Sequence, residues 1–461
     1  MHKFKVILRR IRFWSNITIA YINRYKIWII SIFIVLFLGL IIFQKIWSKI
    51  SQTNLIDIGF VGIYSLENIP TDVLALVTQS LITTDTSQKP IPNLASHWTV
   101  SEDGKTYIVF LKDNLLWHDS TAVKAEDISI AISNVQINAP NNKTIEFKLP
   151  NPIYSFPLVL DKPIFKTKSF YGTGDFRIVD INQVDQIIKK ITLIPKNSKL
   201  PRVNIKFYQT EEQLLEALKI GEVNFAKVAH AQSLNNWPNL NVKKDIDYSE
   251  IITIFFNNED SSLSSKELRQ ALTFAINRSD FDGLPAYGPI SPVNWTFNEN
   301  LKRYDYNSAK AKELLAKINN NKIKITLNVS PGLDEIANQI KRDWEAIGVE
   351  TTLNLEIKPT SEFQALLAVN KLTPDPDQYA FWHSTQGKTN ITHYKNVKVD
   401  KLLEDARITK DDQERKTLYL DFQKFLVEDA PSTFLYYPYK YEVIYKNIEQ
   451  LYAKLPKISL F

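Results

Sequence analysis

RVNIKFYQTEEQLLEALKIGEVNFAKV, residues 202–228, reads as strand, helix, strand. Val203, Ile205 and Phe207 alternate, the period of a half-buried strand. Thr210 with Gln213 makes a capping box, Leu214, Leu215 and Leu218 give the buried stripe, and Gly221 ends the helix. Val223, Phe225 and Val228 begin the next strand, so the stretch is a βαβ unit. A second unit, IKITLNVSPGLDEIANQIKRDWEAIGVETTLNL, follows about 120 residues later, at 323–355. There Ile323, Ile325, Leu327 and Val329 alternate, Ile336, Ile340, Trp344 and Ile347 share a helix face, Gly348 stops the helix, and Val349, Leu353 and Leu355 resume a strand. Two such units argue for two α/β lobes.

Upstream, 55–64 reads as a strand with Ile56, Ile58 and Phe60 on one face, and 71–82 as a helix with Asp72 near its positive end. Asp103 and Gly104 supply a hairpin turn, after which Tyr107, Val109 and Leu111 alternate. Ala125, Ile128 and Ile132 predict a helix within 123–135, and 144–156 is a strand that stops at prolines. Between the two units lie helices 266–278, with Ser264 and Glu267 as capping box, and 308–318. The C-terminal part has helices 399–408 and 411–430, then the aromatic strand STFLYYPYKYEVIY at 432–445.

The 461 residues hold 44% hydrophobic and 12% aromatic side chains, enough for large cores. The net charge of +6 is uneven. Residues 1–50 carry nine basic groups and no acidic one, so 47 basic groups face 50 acidic ones in the remainder. That mildly acidic remainder lacks the footprint of a nucleic-acid binder. Residues 27–43, IWIISIFIVLFLGLIIF, hold seventeen uncharged residues. With 44–47 they predict one membrane-spanning anchor, 27–47, and the basic flank 1–26 places the N-terminus in the cytoplasm and the main domain outside it. WSKIS after the apolar run offers no small-x-small cleavage site. With no cysteine, disulfides, thiol catalysis, thiolate metal sites and lipidation at cysteine are excluded.

PNLASHWTVSEDGKTYIVFLKDNLLWHDSTAVKAEDI (92–128), GTGDFRI (172–178), FFNNEDSSLSSKELRQALTFAINR (255–278), YDYNSAKAKELLAKI (304–318), DPDQYAFWHSTQGKTNITHYKNVKVDKLLEDA (375–406) and ERKTLYLDFQKFLVEDAPSTFLY (414–436) occur in that order. Together they resemble the extracellular solute-binding proteins of family 5, the receptors of oligopeptide and dipeptide ABC importers. The resemblance implies a two-lobe periplasmic-binding-protein-like fold of the type II peptide cluster. Lobe one is then 48–250 plus 432–461 and lobe two 251–431, with hinge crossovers near 251–257 and 432–445. It also implies a monomer that takes a peptide or other small solute between the lobes and hands it to ABC permease subunits. Such a receptor binds neither nucleic acid nor a cofactor. A sensing or adhesion module on the same fold is the alternative. Two places depart from the family: a subdomain after the AEDI segment is missing, and Leu372 stands where an Asp pairs with a peptide amino group.

Candidate ligand contacts are Trp382, His383 and Asp377 in DPDQYAFWHS, Trp295 after a proline-fixed loop, Tyr64 at the end of the first strand and Asn257 at the first crossover. An aromatic face offers area at low entropic cost, and a carboxylate takes a cationic end. Arg269, beside Leu268 and Leu272 on a helix, reads as half of a structural salt bridge. GTGDF lacks the third glycine of a phosphate loop and reads as a tight turn packed near the hinge. The scattered histidines make no metal-ligand spacing, and no nucleophile or acid–base pattern marks an enzyme. Alkaline carbonate extraction is expected to leave the full-length chain in the membrane pellet; its release into the supernatant removes the anchor.

Overall fold

The computed structural model describes residues 54–234, 236–318, 322–355 and 362–456, with Trp14, Arg24 and Gly39 as isolated helical positions. The expected anchor falls outside them apart from Gly39, and no helix among the described residues is long and apolar enough to cross a membrane.

Lobe one opens with β1 (Leu55–Val61), whose inward Ile56, Ile58 and Phe60 are buried, and α1 (Thr71–Val77). The helix ends sooner than its pattern predicts, because Thr78 turns extended (φ −148°) and its hydroxyl donates to Ile164 O. A two-stranded β2 (Ile82–Thr84) and β3 (Pro90–Pro92) precede a separate antiparallel sheet of β4 (Ala95–Val100), β5 (Thr106–Leu111), β6 (Gln136–Asn141) and β7 (Thr144–Lys148), in the order β4-β5-β7-β6. The helix expected over 123–135 is a 3₁₀ turn at Ala125–Asp127 and irregular chain thereafter. Its isoleucines at 128, 130 and 132 recur every second residue, and β-branched side chains in that spacing favour extended backbone.

β8 (Phe176–Val184) and β9 (Ile187–Pro195) lead to β10 (Arg202–Tyr208), α2 (Glu211–Lys219) and β11 (Phe225–Val228). This is the first βαβ unit, with β1 lying between β10 and β11 and parallel to both. Thr210 caps α2 by accepting from Gln213 N, and the Gln213 side chain accepts from Gln209 N in return. β12 (Leu240–Ile246) and β13 (Glu250–Phe256) carry the chain into lobe two.

Lobe two contains α3 (Lys266–Phe274), β14 (Gly283–Pro285), α4 (Ser308–Ala316), β15 (Lys324–Val329), α5 (Asp334–Ala346), β16 (Glu350–Asn354), β17 (Ala365–Lys371), α6 (Val397–Ile408) and α7 (Asp412–Asp429). β15-α5-β16 is the second βαβ unit, its strands parallel. The cap of α3 is Ser265 rather than Ser264: the helix begins at Lys266, and Ser265 Oγ accepts from Leu268 N at 3.2 Å.

β18 (Ser432–Tyr445) joins the lobes. Its first half pairs with β13 and β14, its second half with β11 and β12, which gives a continuous sheet with the path β16-β15-β17-β13-β18-β11-β1-β10-β9-β8. The passage between lobes is marked by Asp247 N donating to Pro438 O at 2.8 Å, with Lys440 bonded to the buried Asp247 carboxylate.

Among the described residues Arg269 makes no salt bridge, contrary to expectation. Only 5% exposed, it donates from Nε to Ala430 O, from Nη1 to Leu263 O and Ser264 O, and from Nη2 to Asp429 O. α7 ends at Ala430 in the left-handed region (φ 48°), so its last carbonyls have no partner within the helix, and the guanidinium supplies one. Arg269→Met is expected to lower unfolding free energy by about 3 kcal/mol in denaturant titrations, since it strands four carbonyl oxygens.

Candidate functional site

The loop after α1 begins the site. Gly172 and Gly174 let the 172–175 segment lie against the end of α1: a Cβ on Gly172 would stand 2.3 Å from Val77 O, and one on Gly174 2.6 Å from Val77 C. GTGDF is thus a close-packing loop, set against α1 rather than against the strands that pass between lobes. His118 fixes it, since its Nδ1 accepts from Gly172 N at 3.1 Å and its Nε2 lies 3.1 Å from Gly174 O. Those partners define a neutral ring protonated at Nε2, and burial pulls its pKa down.

This packing leaves a cavity of about 380 Å³ beside the passage between lobes and a larger one of about 710 Å³ further out, both walled in part by Asp72. The smaller is lined by Tyr64, Glu211, Lys227, Glu250 and Lys440 among others. Burial, and then Asp72, push the Tyr64 phenol up, while its ring packs 5.0 Å from that of Phe207. The larger cavity is mostly lobe one, with Pro374 contributed by lobe two. Its wall carries the hydroxyls of Thr78, Ser80, Thr83 and Thr84 and the carboxylates Asp72, Asp85, Asp161 and Asp175, with Lys196 Nζ 3.0 Å from the wall carbonyl Thr173 O. Burial raises Asp161, a hydrogen bond from Ser80 opposing it. Asp85 is lowered, because its carboxylate accepts from Lys89 N, Ser87 N and Ser87 Oγ in a tight turn.

That turn closes the cavity against lobe two. Trp295 N donates to Ser87 O at 3.0 Å, Asn294 Nδ2 to Gln88 Oε1 at 2.9 Å, and Lys89 Nζ meets Asp412 at 2.8 Å. Lys89 Nζ also lies 4.7 Å from the Trp295 ring centre, and the Arg415 guanidinium 5.2 Å from it. Nearby, Tyr154 N donates to Arg407 O at 2.9 Å.

Of the six expected contacts, Tyr64 stands in a cavity wall and Trp295 at the seam between lobes. Asp377 lies behind the seam, its carboxylate 2.6 Å from Arg407 Nε. Trp382, 2% exposed, belongs to the core of lobe two and donates to Gln378 Oε1. His383 is 3% exposed, stacked on Tyr379 and 3.3 Å from Glu404. Asn257 bonds the backbone of Phe363 and Gln364. Asp72, Asp85, Asp161 and Asp175 were not anticipated. The polar run TTDTS at 83–87, between apolar Leu81–Ile82 and the Pro90–Pro92 strand, is the signal that could have found part of this wall.

The description "Bacterial extracellular solute-binding proteins, family 5 Middle" matches residues 89–393. The oligopeptide-binding protein AppA of Bacillus subtilis is 25% identical over 479 aligned residues, covering 87% of this chain and 88% of that protein. The structure of that AppA in complex with a nonapeptide superposes with a TM-score of 0.67 at 23% identity, over 85% of this chain and 94% of that one. The ABC transporter substrate binding protein CtaP from Listeria monocytogenes superposes with a TM-score of 0.73 at 22% identity, over 85% and 93%. Trp295→Phe is expected to abolish any fluorescence change that accompanies opening of the lobes, and Trp382→Phe to leave it in place; the reverse outcome moves the reporter into the core of lobe two.

Proposed function

The chain belongs to the bacterial extracellular solute-binding proteins of family 5, and on that premise we propose that it is the substrate-binding component of an ABC importer, taking a peptide or peptide-like solute into the 710 Å³ cavity between its lobes. The observation that carries this reading is the wall of that cavity. Hydroxyls and backbone groups suit the main chain of an extended peptide. Four carboxylates in one wall favour a solute of net positive charge, such as a short peptide bearing Lys or Arg. Leu372, packed against the core of lobe two, offers no acid there, so the carboxylates of lobe one take over the cationic end.

Within this reading Tyr64 lines the adjoining 380 Å³ cavity, which shares Asp72 with the solute cavity, and Trp295 reports closure. Trp382, His383, Asn257 and Asp377 support the wall from behind. Lobe one comprises 48–250 and 432–461 and lobe two 251–431, moving about the strands near Asp247 and Pro438. Residues 27–47 tether the receptor beside its permease, with 1–26 in the cytoplasm, and tethering raises the effective concentration of receptor at the permease. The protein works as a monomer and binds its solute without transforming it.

Native mass spectrometry of the freshly purified chain, followed by a tetrapeptide library, tests this. Peptides with Lys or Arg are expected to be retained, and Asp161→Asn to weaken them by about tenfold. Equal retention of acidic peptides removes the charge preference; retention of no peptide removes the peptide reading.

A further inference from the structure

The seam beside the cavity holds a carboxyl group that solute binding does not use. Asp375 follows the cavity-wall residue Pro374 on lobe two and is half-buried. Its Oδ1 accepts from Asp377 N at 2.9 Å, and Ser155 of lobe one stands beside its carboxyl group. The charged groups facing it are already engaged with others. Arg407 Nε lies 2.6 Å from the Asp377 carboxylate, and Arg415 Nη2 lies 2.7 Å from Asp412. Arg415 is itself 8% exposed and makes no hydrogen bond to Asp375 among the described residues, so it acts on that carboxyl group only through space. Tyr419, from α7, completes the surroundings on the side of lobe two, sensing Asp375, Asp377, Arg407 and Arg415 together. On the side of lobe one, Tyr107 and Tyr154 lie close to each other, and Tyr107 senses Arg415 across the seam.

An ionised Asp375 would therefore sit between closed lobes beside a second carboxylate, with no cation bonded to it among the described residues. Separation of the lobes gives the same carboxylate to water. We propose that Asp375 couples closure of the lobes to the uptake of one proton, so that the closed form gains as the medium becomes acidic. The closure step stands on the seam alone; its consequence, tighter solute capture in acid, rests on the reading of the cavity given above.

The direction follows from the environment. Burial first, and then Asp377, push the carboxyl up to about 6 in the closed form, with Ser155 and Arg415 opposing. An aspartate in water titrates near ~4. Between those values the closed form holds the proton and the open form does not, so closure gains about tenfold per pH unit lost. Above about 6 both forms are ionised, and below ~4 both are protonated, so outside that window the dependence flattens.

Because the chain has no cysteine, two can be introduced and labelled without background. Spin labels at Lys112→Cys on lobe one and Lys410→Cys on lobe two, both exposed, report the distance between lobes in the full chain with no solute added. From pH 7.5 to pH 5 the ratio of closed to open distances is expected to rise about tenfold. Asp375→Asn, a neutral stand-in for the protonated acid, should remove that rise and hold the acid-level ratio at both pH values. Ser155→Ala removes a neighbouring hydroxyl that favours the carboxylate and should move the onset of the rise to higher pH. A flat ratio in the parent chain, an unchanged slope in Asp375→Asn or an unmoved onset in Ser155→Ala each overturn the proposal. No peptide enters the measurement, so its failure leaves the peptide reading standing, and failure to find a peptide leaves the proton-linked closure standing.

Discussion

One strand has to satisfy two sheets at once, and the architecture follows from that constraint. Ser432–Tyr445 gives the carbonyls and amides of its first half to lobe two and those of its second half to lobe one. Its side chains are divided just as strictly. Leu435 and Tyr436 enter the core built on α3 and α5, Phe434 and Tyr437 the core built on α6 and α7. Val443 packs with α2, and Ile444 with the core around β1. A register shift opposite Ile252 and Thr253 lets neighbouring residues 435 and 436 face the same side, which a regular pleat forbids. Pro438 sits where ladder bonding changes hands, the kind of break at which a residue without an N–H is tolerated.

The parts legible in the sequence were those whose side chains repeat with one period. Both βαβ units and the span of the last strand came through because alternation, stripe and glycine stop agreed. The segment 123–135 did not, since its isoleucines fit a helix face at 128 and 132 but an extended chain at 128, 130 and 132, and only packing decides between them. Arg269 looked like a salt-bridge residue because a charged side chain on an apolar helix face demands a partner. Its partners are backbone carbonyls, two of them from the end of a helix about 160 residues away, which no local pattern reveals.

The site was less legible than the fold for a related reason. Trp382 and His383 stand out as chemistry-bearing letters, yet large aromatic side chains are as useful to a core as to a cleft, and here the core has them. The cavity wall is made of threonine, serine and aspartate, residues that a linear reading assigns to turns. Asp85 does serve a turn, binding Ser87 and Lys89, and the same turn forms the rim against which lobe two closes. Wall and clasp are thus one loop, so what occupies the cavity and how firmly the lobes meet are mechanically joined.

The place of β18 in the chain has a consequence for biogenesis. Until residues 432–445 are available, β11 and β13 each lack a neighbour, and the cores that take Phe434, Leu435 and Val443 stay unfilled. Most of the polypeptide must therefore be made before either half can consolidate. A chain that stays loosely collapsed during synthesis is one that an export channel can thread, and its final strand then works as the fastener, drawn in after the rest has crossed.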